Sequence, residues 1–412
     1  MSDAQSMTPV DEFTRRVLHE IKPLEPYDQP LAEAMGLPIC EDVVAPMDLP
    51  SFTNSAMDGY AVYHEDLVDA SEENPVSLPV VGEVAAGRAS IYAMNSGTAV
   101  KIMTGAPVPS GADAVVPVEW TDRGAASVVI HQAPKKGANI RNKGEDVTAG
   151  DVVLADGSVV GPRQIGLLAG IGRASVRARP RPRVVVISTG SELRDPGSGL
   201  APDSIYDANS HMLAAAIRSV GAIAYRVGIV PDDPQTFSET LSDQLVRADM
   251  VVTSGGVSKG DYDVVKEVLS ALGTVAFGEV AMQPGKPQGF GFVGEDRTPI
   301  FTLPGNPVSS YVSFEVFVHP AIRKMMGLTP ERRPPTRAMI SGPIRSIPGR
   351  QQYIRAIFTP DSKGNHAAPV GGYGSHLMGG LSAANSLIVI PADVEYVEAG
   401  SRVDVLVLDR NF

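Results

Sequence analysis

Apolar residues recur at helical spacing near the N terminus. Val10, Phe13, Val17, Leu18 and Ile21 fall on one face of an expected helix. Thr8 is placed to cap it, Pro9 suits its first turn, Asp11 completes a capping box, and Pro23 and Pro26 end it. From about Ser51 to Asn142 the pattern changes to short alternating runs, such as VSLPVVGEVAAG and ADAVVPVEW, broken by Gly and Pro. These predict a small all-β region. GEDVTAGDVVLADGSVVGPRQIGLLAGIG then reads as a strand pair and a short helix starting near Pro162. It is expected to pack against residues 25–50, with the β region inserted between them.

Beyond RARPRPR (177–183), a linker by composition, strands and helices alternate. Val184–Ile187 is a continuous β-branched run, as in a parallel strand buried on both faces. Further strands are expected at Ile223–Val230, Met250–Thr253 and Pro299–Leu303, with helices at Ala208–Val220, Pro234–Arg247 and Asp263–Leu272. NPVSSYVSFEVFVHPAIRKMM reads as a buried helix interrupted at Pro320. This rhythm predicts an α/β fold with a doubly wound, mostly parallel sheet. ERRPPTR marks a boundary, after which QQYIRAIF, SLIVIP and SRVDVLVL predict a compact C-terminal β domain.

Composition narrows the functional classes. At 412 residues the chain should divide into several domains. Its 41 Gly and 34 Pro exceed the usual share and fit many turns outside the α/β core. A net charge of −12 argues against nucleic acid or an anionic membrane as the main partner. Cys40 is the single cysteine, so neither an internal disulfide nor a cysteine zinc site can form, and the seven histidines make no H-x-x-x-H pair. The polar start MSDAQSMTPVDEF is unlike a targeting peptide, and no apolar run approaches the roughly 20 residues needed to span a bilayer. A soluble cytoplasmic protein is expected.

Four polar loops directly follow predicted strands: STGSEL (188–193), PDDP (231–234), SGGVSKGDYD (254–263) and LPGNP (303–307). The carboxyl ends of parallel strands share one edge of the sheet, where ligands bind. Placement alone therefore gathers Glu192, Asp232, Asp233, Asp261 and Asp263 with the loop residues Ser188, Gly190, Ser254, Gly255, Gly256, Ser258, Gly305 and Asn306. Each loop taken singly is an ordinary turn before a helix cap; four together read as a site. Backbone N–H groups at helix starts suit phosphate, which carboxylates would repel. A Mg²⁺-like ion, taking oxygen from both, resolves that conflict. In the N-terminal half, NSAMDGYAV holds Asp58 between small and apolar neighbours, where it is expected to be buried, and KIMTGAPVP offers Thr104 beside Gly105. NIRNKGEDV sets Arg141 and Lys143 beside Glu145 and Asp146, and PGKP adds Lys286 on a rigid turn. Turns and a solvated ion-pair cluster account equally for these strings in isolation.

Read in order, NSAMDGYAV, KIMTGAPVP, IRNKGED, STGSEL, SGGVSKGDYD, QPGKP and LPGNPVS strongly resemble the molybdopterin molybdenumtransferase family, which shares its fold with the C-terminal domain of gephyrin. The likeness runs from about Asp11 to Leu408. It implies four domains: 8–50 with 146–180, an inserted β domain at 51–145, the α/β molybdopterin-binding domain at 181–328, and a C-terminal β domain at 329–412. It further implies an elongated homodimer, its cleft formed by the α/β domain of one protomer and N-terminal parts of the other. The implied reaction hydrolyses adenylylated molybdopterin with Mg²⁺, transfers molybdate to the dithiolene, and releases molybdenum cofactor and AMP. Asp58, Thr104, Glu192, Asp232 and Asp263 match its catalytic positions, with Glu192, Asp232 and Asp263 around the metal and phosphates. Asp146 matches a further acidic position, and Arg141, Pro304, Pro307 and Ser375 match residues lining the cleft. Contacts with a molybdopterin adenylyltransferase or an apo-molybdoenzyme fall within the same expectation.

One departure stands out. Some relatives carry lysines just before the PGKP turn that can attract molybdate; here Glu279 and Gln283 stand there, leaving Lys286 as the nearest base. An alternative therefore stays open, a gephyrin-like scaffold clustering a membrane receptor or a tubulin-like partner through a peptide groove. Tyr353, Phe358 and Tyr373 are the aromatic candidates for that groove, and core or hairpin packing is the plainer role for all three.

Overall fold

In the computed structural model, which describes residues 7–87, 93–255, 264–362 and 364–409, the alternating runs of the N-terminal half form a five-stranded sheet. Its strands lie in the order Ala114–Pro117, Gly59–Val62, Ala99–Ile102, Val76–Val84, Ser127–Ile130. Period-two alternation gives the sheet two apolar faces. Tyr60, Val62, Val116 and Ile130 pack on one, and Ala61, Val100, Ile102 and Val115 on the other. Gly59 is obligatory, because a Cβ there would lie 1.9 Å from the Val116 carbonyl oxygen. The segments flanking this sheet meet where Val43–Val44 pairs antiparallel with Val152–Leu154. Helix Pro162–Gly170 adds Leu168 to that core, beside Ile39, Val43, Val160, Ile171 and Val176. Together these elements make one compact unit, Asp28–Met35 with Ile39–Arg177.

The second unit comprises Met1–Tyr27, Gly36–Pro38 and Ala178–Phe412. Its main sheet contains β1 (Arg183–Ser188), β2 (Ile223–Arg226), β3 (Met250–Ser254), β4 (Val275–Glu279), β5 (Pro287–Val293) and β6 (Thr298–Leu303), in the order β2-β1-β3-β6-β5-β4. The first four strands in that order are parallel, and β5 runs antiparallel to both neighbours. Alternate residues of β1 serve opposite layers. Val184 and Val186 pack with Leu213 and Ile217 of helix Asn209–Ser219 and with Phe317. Val185 and Ile187 pack with Phe237 and Leu241 of helix Pro234–Leu245 and with Val265 and Leu269 of helix Val264–Ala271. The expected double winding is present. The β4–β5 hairpin was not expected from the sequence. Its glycines serve close approach, since a Cβ on Gly289 would lie 2.0 Å from Thr302 Oγ1 and one on Gly291 2.2 Å from the Thr274 carbonyl oxygen.

Two local expectations are corrected. The N-terminal helix, Val10–Glu20, has Pro9 at its N-cap and no side-chain cap. Thr8 is extended instead, its N–H bonded to the Glu279 carbonyl and its own carbonyl to the Ala281 N–H, while Asp11 pairs with Arg332 at 2.8 Å. The buried C-terminal helix does not break at Pro320. Pro320 sits in the first turn of His319–Met326, and the irregularity precedes it as a π-turn, Phe314–Val318. Widening the ladder there accommodates a ring that would strike the carbonyl four residues earlier.

The C-terminal runs close into a barrel of β7 (Thr336–Ile340), β8 (Gln351–Asp361), β9 (Gly364–Pro369), β10 (Ser386–Ile390) and β11 (Arg402–Val407). Pairing runs β8–β9–β7–β11–β10 and back to β8 around Ile340, Ile354, Phe358, Ile388 and Val405. Tyr353 and Phe358 are both buried, as core packing requires, whereas Tyr373 is 62% exposed. Among the described residues no helix is long and apolar enough to cross a membrane.

Candidate functional site

The carboxyl ends of β1, β3 and β6 carry three of the predicted loops, and short hydrogen bonds tie them together. Ser188, at the end of β1, donates its hydroxyl to Asp207 Oδ1 at 3.1 Å. Asp207, 1% exposed, also takes the Ser210 N–H at 3.0 Å and its hydroxyl at 2.5 Å, so it anchors the start of helix Asn209–Ser219. Asn209 spans the next two loops, its Nδ2 donating to Ser254 Oγ at 2.8 Å and to the Gly305 carbonyl at 2.7 Å. Gly255 has φ +95°, and its N–H meets the Leu303 carbonyl at 3.1 Å. Beyond buried Pro304, Asn306 is exposed and donates to Ser375 Oγ at 3.1 Å. Pro307 opens the following helix, and the Val308 N–H donates to the Ser375 carbonyl at 3.0 Å. Ser188, Ser254, Gly255, Gly305, Asn306 and Ser375 thus form one bonded edge.

The acidic candidates separate into different roles. The Ser191 N–H bonds Asp232 Oδ2 at 2.9 Å, so Glu192 and Asp232 stand on loops locked to each other. Both are exposed, and Glu192 reaches over Gly190, where a Cβ would meet its Oε2 at 2.7 Å. Asp233 is an ordinary helix cap. It accepts the Thr236 hydroxyl at 2.7 Å and N–H at 2.8 Å, contacts that hold its carboxyl below the usual carboxylate range. Lys286 is paired with Glu279 at 2.9 Å, and Gln283 Oε1 accepts from Arg350 at 3.2 Å. Gly256, Ser258, Asp261 and Asp263 lie outside the described residues.

In the smaller unit Asp58 is exposed, contrary to the expected burial. Its Oδ1 accepts the Thr104 N–H at 2.7 Å and the Thr104 hydroxyl at 2.8 Å. Those two bonds, the N–H first, keep its carboxyl below the usual range. Arg141 is paired through its backbone with Asn54, which joins the strings NSAMDGY and NIRNK in space. The Lys143 side chain goes to Asp48 at 3.2 Å, not to Glu145 or Asp146, and Asp146 is exposed.

Sequence reasoning missed Asp207 and Asn209. Their signal was IYDANS, a short strand (Ile205–Tyr206) leading into a helix that Asn209 opens, with Asp207 in the turn between them. Asn209→Ala is expected to speed hydrogen exchange at the Gly255 N–H by about tenfold, a bracing loss of roughly 1.4 kcal/mol, with the helix intact by circular dichroism. Unchanged exchange would show that the two loops hold each other without it.

Comparison with known proteins agrees with this geometry along the whole chain. Residues 8–172 match the family model described as "MoeA N-terminal region (domain I and II)", residues 185–324 the "Probable molybdopterin binding domain", and residues 337–408 the "MoeA C-terminal region (domain IV)". The chain is 47% identical over 405 residues to molybdopterin molybdenumtransferase 2 of Mycobacterium tuberculosis, covering 97% of this chain and 99% of that one. It is 35% identical over 403 residues to the Haemophilus influenzae molybdopterin molybdenumtransferase, covering 97% and 98%. A crystal structure of the molybdopterin biosynthesis MoeA protein from Pyrococcus horikosii superposes with a TM-score of 0.80 at 30% identity, covering 98% and 100%. With a doubly wound sheet whose loops are cross-bonded at one edge, a closed C-terminal barrel, and this likeness over nearly its full length, the chain belongs to the MoeA, or molybdopterin molybdenumtransferase, family of enzymes.

Proposed function

We propose that the protein inserts molybdenum into molybdopterin, hydrolysing adenylylated molybdopterin in a Mg²⁺-dependent step and passing molybdate to the dithiolene, with release of molybdenum cofactor and AMP. The observation that carries this reading is the bonded edge from Ser188 through Asn209 to Gly305 and Ser375, which ties three strand-end loops together beside the joined loops of Glu192 and Asp232. Among the described residues no three His, Cys, Asp or Glu side chains are grouped to hold a metal. Glu192 and Asp232 nonetheless fit a hard cation by donor type, being exposed carboxylates on loops joined by the Ser191–Asp232 bond. Asp263, their expected third member, lies outside the described residues. Bound there, Mg²⁺ would supply charge neutralisation for the pyrophosphate.

The chain's own residues account for the rest of the reading. The Ser254 hydroxyl, whose oxygen accepts from Asn209, binds and orients phosphate oxygens. Water or a molybdate oxygen attacks phosphorus, the pyrophosphate P–O bond breaks, and AMP departs. Asn306 and Ser375 face the oxyanion end, Arg141 and Asp146 belong to the pterin-handling set, and the working form is a homodimer. Each of the two positions where relatives carry lysine has a cation beside it, Lys286 at Glu279 and Arg350 at Gln283.

Incubating the protein with adenylylated molybdopterin, Mg²⁺ and molybdate is expected to release AMP in step with cofactor formation. Glu192→Gln should raise the half-saturating Mg²⁺ concentration by about tenfold, since one charge-assisted ligand is lost. Turnover that is indifferent to chelator would remove the metal from the mechanism.

A further inference from the structure

Arg355, in the middle of β8, is 3% exposed, yet among the described residues its guanidinium bonds only carbonyls and no carboxylate. It is filled by backbone carbonyls of one loop. Nη1 donates to Leu377 O at 2.5 Å, and Nη2 donates to Gly372 O at 2.5 Å, Gly374 O at 3.1 Å and Gly371 O at 3.3 Å. The loop is shut at its throat, where Gly371 and Gly380 approach so closely that a Cβ on Gly371 would lie 2.3 Å from the Gly380 Cα. Gly371 and Gly372 have φ of +77° and +72°, the left-handed backbone that turns successive carbonyls inward. At the outer rim stands Ser375, bonded through its hydroxyl to Asn306 and through its carbonyl to the Val308 N–H. A cavity of about 320 Å³ adjoins the loop, lined by Gln283, Pro284, Val308, Arg355 and Tyr373 among others.

Four carbonyls around one guanidinium is a costly arrangement unless their placement matters. Burial without a counter-charge pulls the Arg355 side chain below its ordinary pKa. A guanidinium fork can hold several carbonyls at fixed angles, which a single ammonium cannot. We propose that Arg355 is the positioning residue of the Ser375 loop, pegging its carbonyls so that Ser375 is held against Asn306 at the oxyanion end of the substrate site. The inference rests on the reading of that site given above. Arg355 does not touch the reacting atoms; it acts through Ser375.

A double-mutant cycle tests this. Arg355→Lys is expected to raise the half-saturating molybdate concentration by about tenfold while turnover at saturation stays within about twofold, the signature of a displaced binding group. Ser375→Ala should do the same, and the double variant should be no worse than Ser375→Ala alone. Independent effects that multiply to about a hundredfold would overturn the positioning role. Arg355→Met, which keeps the stem and removes every donor, should at least match Arg355→Lys; a normal half-saturation in either variant would also overturn it. A readout free of turnover accompanies these: amides of residues 371–377 should exchange at least about tenfold faster in Arg355→Lys, with the barrel strands still protected. Unchanged exchange sinks the clamp itself. Absence of turnover by the wild type, with exchange accelerated as expected, would sink the substrate reading and leave the clamp standing.

Discussion

Replacing Asp58 with asparagine is expected to lower AMP release by about a hundredfold or more while thermal unfolding stays where it was. The carboxylate is exposed, so it contributes little to packing, and its Oδ1 is fixed by both Thr104 donors. Such a group is preorganised: one oxygen is anchored and the other is presented to a ligand at constant charge. Asparagine keeps the shape and removes the charge. Because the folded carboxyl sits below the usual aspartate value, its ionised form persists through neutral and mildly acidic pH. Any stability it adds is present above that value and is lost only as pH falls through the lower, folded one. An acid limb in the rate profile near neutrality must therefore come from another group. Thr104→Val, which keeps the N–H donor and loses the hydroxyl, should cost less than the Asp58 change. Full activity in Asp58→Asn would exclude the carboxylate from the chemistry.

Arg333→Met is expected to produce a large loss of stability, about 3–5 kcal/mol, because it strands a buried carboxylate. Glu315 and Arg333 meet at 3.3 Å with side chains 5% and 9% exposed, and Arg333 also donates to the Val407 carbonyl at 2.9 Å. Burial pushes the Glu315 carboxyl up, while Arg333 and the Tyr311 hydroxyl pull it back. A carboxyl raised in the fold favours the folded state at acid pH, and that advantage is lost as pH rises through the folded pKa. The variant should therefore recover stability relative to wild type as pH is lowered. His319, held neutral with its pKa pushed down to about 3 by burial and the nearby arginines, works in the opposite direction below its usual 6.5. Arg333 is one of those arginines, so its loss also eases protonation of His319, and both groups favour the variant relative to wild type as pH is lowered. Denaturant titration gives the energies, and Glu315→Met together with Arg333→Met should be more stable than the single change. A cost below about 1 kcal/mol would place the pair in the class of weak, solvent-screened bridges.

Much of this was legible from residue order alone. Period-two runs gave the β sheets, and the β-branched stretch at 184–187 gave a strand buried on both faces, because those patterns follow directly from where side chains point. The loops at strand ends were legible for the same reason, since parallel topology fixes which edge they share. The β4–β5 hairpin was hidden because its glycines serve close backbone approach, and turn glycines look identical in sequence. Thr8 and Asp11 were misread because a local capping preference of about 1 kcal/mol yields to pairing with distant chain at residues 279–281 and Arg332. Asp207 and Asn209 left only the faint signal IYDANS, and Arg355 left none, because its partners are backbone carbonyls 16 to 22 residues along the chain, contacts that leave no spacing to read.

The N-terminal helix also bears on how the molecule is assembled during synthesis. Phe13 packs edge-on against Phe317 at 4.9 Å between ring centroids. A ribosome delivers the first ring early, but its partner emerges only after the whole smaller unit and all six strands of the main sheet. Until then the apolar stripe from Val10 to Ile21 has nothing to cover it, so it is a natural handhold for a chaperone and a hazard on a crowded polysome. That long circuit can close only after the first unit has had time to fold, and the strands of the C-terminal barrel follow it along the chain.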